Sequence, residues 1–183
     1  MVIDDTTILT ALRNPDTMEQ GFQMLMQQYG EKLYWHIRRI VIGHEDAEDV
    51  MQDTALQIYS NIGRFAGEAS QLRTWIYRIA TNEALQLLRS HTRLFQSIDA
   101  LGPELREKLE AENNLGTDKA EYHLQAALLT LPTQQRLVFN MRYFDDMTYE
   151  NIALVTGKKI NTLKVNYHYA RMKIEEYLKN QAL

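Results

Sequence analysis

The stretch TYENIALVTGKKINTLKVNYHYARMKIEEYL, from Thr148 to Leu178, decides much of how this chain folds. Ile152 and Val155 have helical spacing, and Gly157 then favours the end of that helix. A second apolar pattern with helical spacing starts near Asn161. Two helices joined by a tight turn are therefore predicted, an arrangement typical of a helix-turn-helix motif.

The starts of these two helices carry residues that can cap them. Thr148 can accept a hydrogen bond from an otherwise unpaired backbone N–H of the first helix, and Asn161 or Thr162 can do so for the second. In a helix-turn-helix motif the second helix lies in the major groove, and nearby cations contact phosphates. The candidates for phosphate contacts are Lys158, Lys159, Lys164 and Arg171. An ordinary helical hairpin, whose lysines only keep its surface soluble, remains the alternative.

Charge is distributed unevenly along the chain, although its formal net charge is only −4. Residues 151–183 contain six basic and two acidic side chains, and residues 64–93 contain five basic and two acidic ones. Residues 1–63 contain ten acidic and four basic side chains. Since attraction to phosphate is screened beyond roughly 8–10 Å, a local basic segment can hold nucleic acid on an acidic chain. The acidic segment predicts a basic partner instead.

Apolar residues recur at helical spacing along nearly all of the 183 residues, and no convincing strand pattern is present. The predicted fold class is all-α, with helical spacing from Phe22 to Val41 and further helices at about 6–13, 46–61, 71–91, 121–130, 132–144, 148–156 and 161–179. Gly102-Pro103 and several charged side chains interrupt this pattern and predict a linker that can contain a short acidic helix. We therefore predict two small helical domains, residues 1–93 and 121–183, joined by a flexible linker of residues 94–120.

The helix predicted at 71–91 has one apolar and one polar face, and Trp75 lies at the border between them. The polar face holds Thr74, Arg78, Asn82 and Arg89. Aromatic, amide and arginine side chains together suit single-stranded nucleic acid, because stacking works on any unpaired base. A structural role for Trp75 in the core remains the alternative.

The acidic run HEDAEDVMQD, from His44 to Asp53, is a candidate for either a metal site or a docking surface. At helical spacing Asp46, Asp49 and Asp53 share one exposed face, and apolar residues between them form a buried stripe. Carboxylates in such a line disfavour a metal site and suit docking to a basic protein surface. A merely solvated face remains the alternative.

Several other classes of protein are disfavoured by the sequence. The chain contains no Cys, which excludes disulfides and thiolate chemistry and fits a reducing cytoplasm. The first ten residues lack a basic region leading into an apolar stretch, so neither a secretory signal nor a membrane span is expected. No HExxH, Ser-His-Asp or glycine-rich phosphate motif is present. We expect a cytoplasmic protein that is not an enzyme, with no metal and no cofactor.

Four segments in this order resemble the extracytoplasmic-function sigma factors, the smallest members of the sigma-70 family of bacterial RNA polymerase. They are EDAEDVMQDTALQIY (Glu45 to Tyr59), LRTWIYRIATNEALQLLR (Leu72 to Arg89), LPTQQRLVFNMRYFDDMTYENIA (Leu131 to Ala153) and NTLKVNYHYARMKI (Asn161 to Ile174). The resemblance covers nearly the whole chain. It implies a region-two domain (1–93) that binds core polymerase and the minus-ten element. A linker (94–120) then leads to a region-four domain (121–183) that binds the minus-thirty-five element.

The resemblance also implies binding residues. The match to the surface for the clamp coiled coil of the largest polymerase subunit comprises Asp46, Asp49, Gln52 and Asp53. The match to the part that melts the minus-ten element and captures a flipped base comprises Phe65, Ser70, Gln71, Trp75, Arg78 and Asn82. We add Arg64, from the adjacent polar segment RFAGEASQ, and Arg89, from the polar helix face.

For the minus-thirty-five element, Lys164, His168 and Tyr169 match positions on the recognition helix. The other candidates come from the motif itself: Thr148, Lys158, Lys159, Asn161, Thr162, Val165 and Arg171. Val165 replaces a usual Ser and can offer only apolar contact, as to a thymine methyl, and Tyr169 cannot make the bidentate pair of an arginine with guanine. Thr81, Ser90 and Asn166 also stand where relatives often carry Arg, which predicts weaker electrostatic binding.

The expected partners are core RNA polymerase, through the clamp coiled coil and the flap of the second-largest subunit, and promoter DNA. An anti-sigma factor is a further partner that the family makes plausible. Two rival hypotheses are a stand-alone helix-turn-helix repressor, which would bind DNA as a dimer without polymerase, and a metal-dependent hydrolase built on the acidic run.

Overall fold

The computed structural model describes residues 3–91, 98–113 and 119–181, which are almost entirely helical and include no strand. The predicted all-α fold is confirmed. The α-helices of this part are α1 (Asp5–Arg13), α2 (Met18–Val41), α3 (His44–Asn61), α4 (Ala69–His91), α5 (Gly102–Asn113), α6 (Lys119–Leu129), α7 (Thr133–Tyr143), α8 (Tyr149–Thr156) and α9 (Ile160–Gln181). Short 3-10 helices cover Ile62–Arg64 and Ile98–Leu101.

Helices α1 to α4 form an N-terminal bundle in which α4 contacts the other three helices. Leu25, Leu33 and Ile37 of α2 follow helical spacing and are fully buried, and each such side chain stabilises the fold by about 1.5–3 kcal/mol. Gly21 allows α1 and α2 to pack closely, because a Cβ there would lie 2.6 Å from the backbone nitrogen of Leu12. This bundle positions the exposed faces of α3 and α4.

Helices α6 to α9 form the C-terminal half, with Phe139 of α7 packed in a small core with Ala170 and Ile174 of α9. The predicted cap of α8 is confirmed, because the Thr148 hydroxyl accepts a hydrogen bond from the Asn151 backbone nitrogen at 3.2 Å. Helix α8 ends where predicted.

The turn between α8 and α9 depends on Gly157, which has a φ of +69° in the left-handed region. Its N–H donates to the Ala153 carbonyl at 2.8 Å. The prediction that Asn161 or Thr162 caps the second helix is wrong, because α9 already begins at Ile160. Both residues lie in its first turn, where their side chains are exposed.

The described part of the linker is helical and packed against its neighbours. Leu101, Leu105 and Leu109 follow helical spacing and are buried, a pattern that the many charges around them conceal in the sequence. Asp99 accepts a hydrogen bond from the backbone nitrogen of Thr133 at 2.7 Å. This bond pairs one of the backbone N–H groups at the start of α7 that have no partner within the helix. Residues 98–113 thus include the short acidic helix that the sequence allowed within the linker, and this helix packs against its neighbours. Residues 92–97 and 114–118 of the predicted linker lie outside the described residues.

The two halves pack directly against each other. Helix α4 contacts α8, and α2 contacts α7. Buried apolar residues of both halves, among them Ile76 and Ala80 on one side and Ile152 and Val155 on the other, belong to one continuous core.

Gly157→Ala is expected to lower the free energy of unfolding by about 1–2 kcal/mol, because an L side chain in the left-handed region is strained. Urea denaturation followed by circular dichroism measures this change. Gly63→Ala is the matched control, since neither Gly63 nor Gly157 has an atom within 4 Å of an added Cβ and only Gly157 has a positive φ. Equal destabilisation by both changes would contradict the role assigned to the turn.

Candidate nucleic-acid interface

The first half of α9 presents an exposed surface whose orientation is fixed by buried residues of the same helix. Leu163 and Ala170 are fully buried. Val165 is 53% exposed and Tyr169 is 49% exposed, which is a large exposure for apolar side chains on a small protein. The other residues predicted from this motif are exposed too: Thr148, Lys158, Lys159, Asn161, Thr162, Lys164, His168 and Arg171.

The cations of this surface differ in how far they are neutralised. Arg171 lies 3.4 Å from the carboxylate of Glu175 one turn further along α9, so part of its charge is already compensated. The ammonium of Lys164 lies 5.8 Å from the centre of the Tyr149 ring, a cation–π contact that leaves its charge uncompensated. Lys164 is therefore the better candidate for a phosphate contact.

A second exposed surface combines the N-terminal part of α4 with the segment before it. The rings of Phe65 and Trp75 lie 5.0 Å apart between centroids, and both side chains are half-buried. Trp75 therefore packs on the core and also keeps part of its ring accessible. The other predicted residues of this surface are exposed: Arg64, Ser70, Gln71, Arg78, Asn82 and Arg89.

The segment before α4 is held in a defined conformation by two hydrogen bonds. Arg13 donates to the Gly67 carbonyl at 2.6 Å, and the side-chain oxygen of Gln71 accepts from the Glu68 backbone nitrogen at 3.1 Å. A Cβ at Gly67 would lie 2.6 Å from the Phe65 ring, so a larger residue there would have to displace that ring. Sequence reasoning did not identify Arg13, because its contact depends on how α1 packs.

The polar face predicted for α4 is only partly exposed. Thr74, assigned to that face with Arg78 and Asn82, is buried with 8% exposure, so this assignment is wrong. Thr81 is also buried. The Thr81 hydroxyl lies 2.9 Å from His36 Nε2 of α2. Helix α4 also packs against α8 of the C-terminal half, and the sequence pattern of α4 alone does not reveal either contact.

The acidic surface of α3 is largely accessible. Asp49, Gln52 and Asp53 are exposed. Leu56 is 60% exposed and Tyr59 is 43% exposed. The predicted line of carboxylates therefore continues into an apolar patch that sequence reasoning missed.

Asp46 is the exception within the predicted acidic line. Its carboxylate lies 2.7 Å from the ammonium of Lys108 of α5, and both side chains are partly buried. The described part of the linker thus covers one end of the acidic surface.

The histidine of the acidic run is engaged in other contacts. His44 Nδ1 lies 2.6 Å from the Tyr34 hydroxyl, and His44 Nε2 lies 3.3 Å from the Glu48 carboxylate. Among residues 3–91, 98–113 and 119–181, no three His, Asp or Glu side chains converge as a metal site would require.

A buried polar network joins the two halves around Asp145, which lies in the turn between α7 and α8. One carboxylate oxygen of Asp145 lies 2.6 Å from His36 Nδ1, and the other lies 3.6 Å from the guanidinium of Arg39. The guanidinium of Arg73 donates to the Asp145 backbone carbonyl. We call this set the Asp145 network. Sequence reasoning missed it, because His36 and Asp145 are 109 positions apart.

Neighbouring groups of the Asp145 network are strongly desolvated. Burial lowers the pKa of Arg39, and the Asp145 carboxylate opposes that effect. Burial, followed by the negative charge of Asp145, raises the pKa of Tyr77 to about 12. The guanidinium of Arg39 also lies 4.1 Å from the centre of the Phe144 ring. Charged side chains from both halves are therefore paired at a site where Asp145 is nearly inaccessible and Arg39 is partly exposed.

Comparison with known proteins identifies the family. Residues 25–94 match the model of sigma-70 region 2, and residues 123–174 match the model of sigma-70 region 4. Together these matches cover more than half of the chain. The chain belongs to the sigma-70 family. Members of this family are non-catalytic specificity subunits of RNA polymerase, and this sigma factor has a promoter-directing role in transcription initiation.

Curated relatives place this sigma factor in the extracytoplasmic-function group. It is similar to the RNA polymerase sigma-H factor of Pseudomonas aeruginosa, with 27% identity over 169 residues that cover 87% of each chain. It is also similar to the ECF RNA polymerase sigma factor SigE of Mycolicibacterium smegmatis, with 26% identity over 162 residues. That match covers 84% of this sigma factor but only 60% of SigE.

The fold of this sigma factor is similar to that of the sigma factor RpoE from Bartonella quintana, solved in complex with the anti-sigma factor NepR. The TM-score is 0.68 at 20% identity, over 86% of this chain and 96% of RpoE. None of the helices that the structure describes in this sigma factor combines the length and apolar character needed to cross a bilayer.

Proposed function

We propose that three exposed helix surfaces of this chain carry the three binding functions of a sigma factor. The acidic surface of α3 binds core polymerase, the Trp75 surface of α4 binds the melted minus-ten element, and the first half of α9 binds the minus-thirty-five element. The observation that carries this proposal is the joint exposure of an arginine, amide and aromatic surface on α4 and a cationic surface on α9. Residues 1–93 and 121–183 are proposed as the two functional domains, with residues 94–120 between them.

The proposed polymerase surface consists of Asp46, Asp49, Gln52 and Asp53. A basic coiled coil, as on the clamp of the largest subunit, fits these carboxylates by charge. Leu56 and Tyr59 extend the surface with exposed apolar area, and an apolar centre with a charged surround is the usual composition of a specific interface. This combination favours a protein partner over a merely solvated face.

The proposed minus-ten surface works by capturing unpaired bases. Removing a base from the stack costs a few kcal/mol, and stacking on an aromatic ring returns about 1–3 kcal/mol per base. The part of Trp75 that remains accessible offers such a ring, and Asn82 offers donor and acceptor groups for a base edge. The exposed cations Arg64 and Arg78 suit the nearby phosphates.

The proposed minus-thirty-five surface reads duplex DNA in the major groove. Lys158, Lys159 and Lys164 supply phosphate contacts, while Val165 and Tyr169 supply apolar contacts to base edges. Apolar contact in the major groove discriminates chiefly by the thymine methyl group. The promoter element is therefore expected to depend on a thymine more than on a guanine.

Further partners are proposed from the family. The groove of α7 and α9, with Phe139, Tyr143 and Ile174 among its lining residues, is apolar and suits the flap of the second-largest polymerase subunit. Tyr143 is 60% exposed in this groove. An anti-sigma factor is proposed as a regulator, since the fold is similar to that of a sigma factor solved with one. A cytoplasmic location follows from the proposed partners.

In vitro transcription with core polymerase on genomic fragments tests the whole proposal, because it reports activity and promoter choice together. The expected result is new start sites that depend on this chain. Failure to co-elute with core polymerase in size-exclusion chromatography, together with binding of a palindromic operator by a dimer, would favour the repressor hypothesis instead.

Asp49→Arg is expected to weaken binding to core polymerase by at least about tenfold, because a like charge facing a basic surface costs several kcal/mol. Titration of labelled protein with core polymerase measures the affinity. Glu19→Arg, the same charge reversal at an exposed position of α2, is the matched control and should bind normally. An equal loss of affinity for core polymerase in both variants would indicate a nonspecific effect of net charge.

Lys164→Ala is expected to lower affinity for the duplex element and to reduce the slope of log affinity against log salt by about 1, as loss of one phosphate contact requires. Fluorescence anisotropy at several salt concentrations provides the slope. Lys179→Ala removes the same charge from the exposed end of the same helix and should leave the slope unchanged. An unchanged slope for Lys164→Ala would reject its phosphate contact.

Asn82→Ala is expected to slow promoter opening on duplex templates more than on templates already unpaired around the start site, because only the duplex requires base capture to drive melting. Permanganate footprinting and abortive transcription on the two template types measure this difference. Equal loss on both templates would contradict a base-capture role for Asn82.

A further inference from the structure

Residues 65–68, between the 3-10 helix and α4, form an irregular loop within the proposed minus-ten surface. Backbone hydrogen bonds hold its two ends, from the Phe65 N–H to the Ile62 carbonyl and from the Gln71 N–H to the Glu68 carbonyl. Between these ends the Glu68 N–H donates to the Gln71 side-chain oxygen at 3.1 Å. The conformation of the 65–68 loop is therefore set partly by side chains.

Arg13, the last residue of α1, links the 65–68 loop to a different helix. Its Nη2 donates to the Gly67 carbonyl oxygen at 2.6 Å and to the Phe65 carbonyl oxygen at 3.4 Å. One guanidinium nitrogen thus binds two carbonyls that flank Ala66. Because hydrogen bonds from a charged donor are stronger than those between neutral groups, Arg13 restrains the middle of the loop.

Helix α1 holds Arg13 in a defined place because α1 is itself anchored on the N-terminal bundle. Ile8 and Leu12 of α1 are buried. The Tyr29 hydroxyl of α2 donates to the Asp5 carboxylate at 2.6 Å, near the opposite end of α1. Helix α1 also contacts α4 and the 3-10 helix that precedes the loop. The guanidinium therefore connects a flexible type of backbone to a fixed support.

The backbone of the 65–68 loop determines where the Phe65 ring lies. This ring lies 5.0 Å from the Trp75 ring between centroids. A Cβ at Gly67 would lie 2.6 Å from the same ring, so the ring also packs on the loop backbone. Phe65 and Gly67 are the two residues whose carbonyls bind Arg13. Arg13 thus restrains the residues that shape the surroundings of Trp75.

The order of this loop matters for base capture because the free-energy margin of capture is small. The cost of removing a base from the stack and the gain from stacking it on an aromatic ring are similar in size. A loop that becomes ordered only on binding adds a cost in conformational entropy. A loop that is already ordered leaves more of the stacking free energy to drive strand opening.

We propose that Arg13 is a positioning residue for promoter opening, which orders the 65–68 loop so that Phe65 and Trp75 form a preformed site for an unpaired base. Arg13 acts through the loop carbonyls and not through a contact with DNA. The consequence for opening rests on the proposed function, whereas the ordering of the loop does not.

Hydrogen exchange of the full chain, measured by mass spectrometry, tests the ordering of the loop without polymerase. Arg13→Ala is expected to speed exchange of the amides of residues 65–71 about three- to tenfold, the factor that loss of one hydrogen bond produces. Amides in the buried part of α4, as at Ile76 and Ala80, should exchange as before. Lys32→Ala removes the same charge from an exposed position of α2 and should leave exchange of the loop unchanged.

Two results of the exchange measurement would overturn the proposal. One is unchanged exchange of the loop in Arg13→Ala. The other is faster exchange throughout α4, because that would show a general loss of stability and no specific effect on the loop.

Holoenzyme assembled from core polymerase and the full chain tests the consequence for base capture. The probe is a single-stranded oligonucleotide with the non-template sequence of a minus-ten element found by in vitro transcription. A second oligonucleotide lacks the one base whose removal weakens binding of the unchanged protein most. Arg13→Ala should lower affinity for the intact oligonucleotide about three- to tenfold and leave affinity for the abasic one unchanged. A merely structural role would lower both affinities equally, and that result would overturn the proposal.

The salt dependence of the same binding separates positioning from a direct phosphate contact. Loss of one phosphate contact to a single strand reduces the slope of log affinity against log salt by about 0.7. We expect the slope for Arg13→Ala to equal that of the unchanged protein, and a slope reduced by about 0.7 would overturn the positioning role. A chain that does not bind core polymerase at all would refute the proposed function, and hydrogen exchange would then decide whether Arg13 orders the loop.

Discussion

The packing of α4 is the constraint on which the rest of the structure depends. This helix contacts α1, α2 and α3 in its own bundle and α8 in the other half. Leu72, Ile76 and Ala80 are fully buried among these neighbours. Because successive residues of a helix are rotated by about 100°, burying this stripe fixes the directions of Arg78 and Asn82. The hydrophobic core thus orients the exposed surface of α4.

The same core fixes the spatial relation between surfaces on different helices. In α9, burial of Leu163 and Ala170 leaves Val165 and Tyr169 facing outward. In α3, the buried stripe leaves the carboxylates and Leu56 on the accessible side. The core therefore fixes the direction in which each of these helices presents its exposed side chains.

The contact between the two halves combines buried apolar residues with a polar network. Buried apolar residues of both halves stabilise this contact, since separating them would expose hydrophobic area to water. The Asp145 network places ionisable groups at this contact, beside buried apolar residues from both halves. The linker contacts both halves of the molecule. Asp99 accepts a hydrogen bond from the backbone N–H of Thr133 at the start of α7, and Lys108 forms an ion pair with Asp46 of α3. Residues that look like a charged connection in the sequence therefore take part in tertiary structure.

The sequence by itself determined the helices, the turn at Gly157, the cap by Thr148 and the family. These features follow from local rules, because helical periodicity, left-handed backbone conformation and capping involve residues within a few positions of one another. The exposure of Lys164, Arg78 and Asp49 was predictable for the same reason. Only the tertiary structure decided that Thr74 and Thr81 are buried, that α5 covers Asp46, and that His36 meets Asp145. Those outcomes depend on which helices pack together, over separations of up to 109 positions in the sequence. The periodicity of one helix shows which of its faces is apolar, but it does not show which other helix will pack against a polar face.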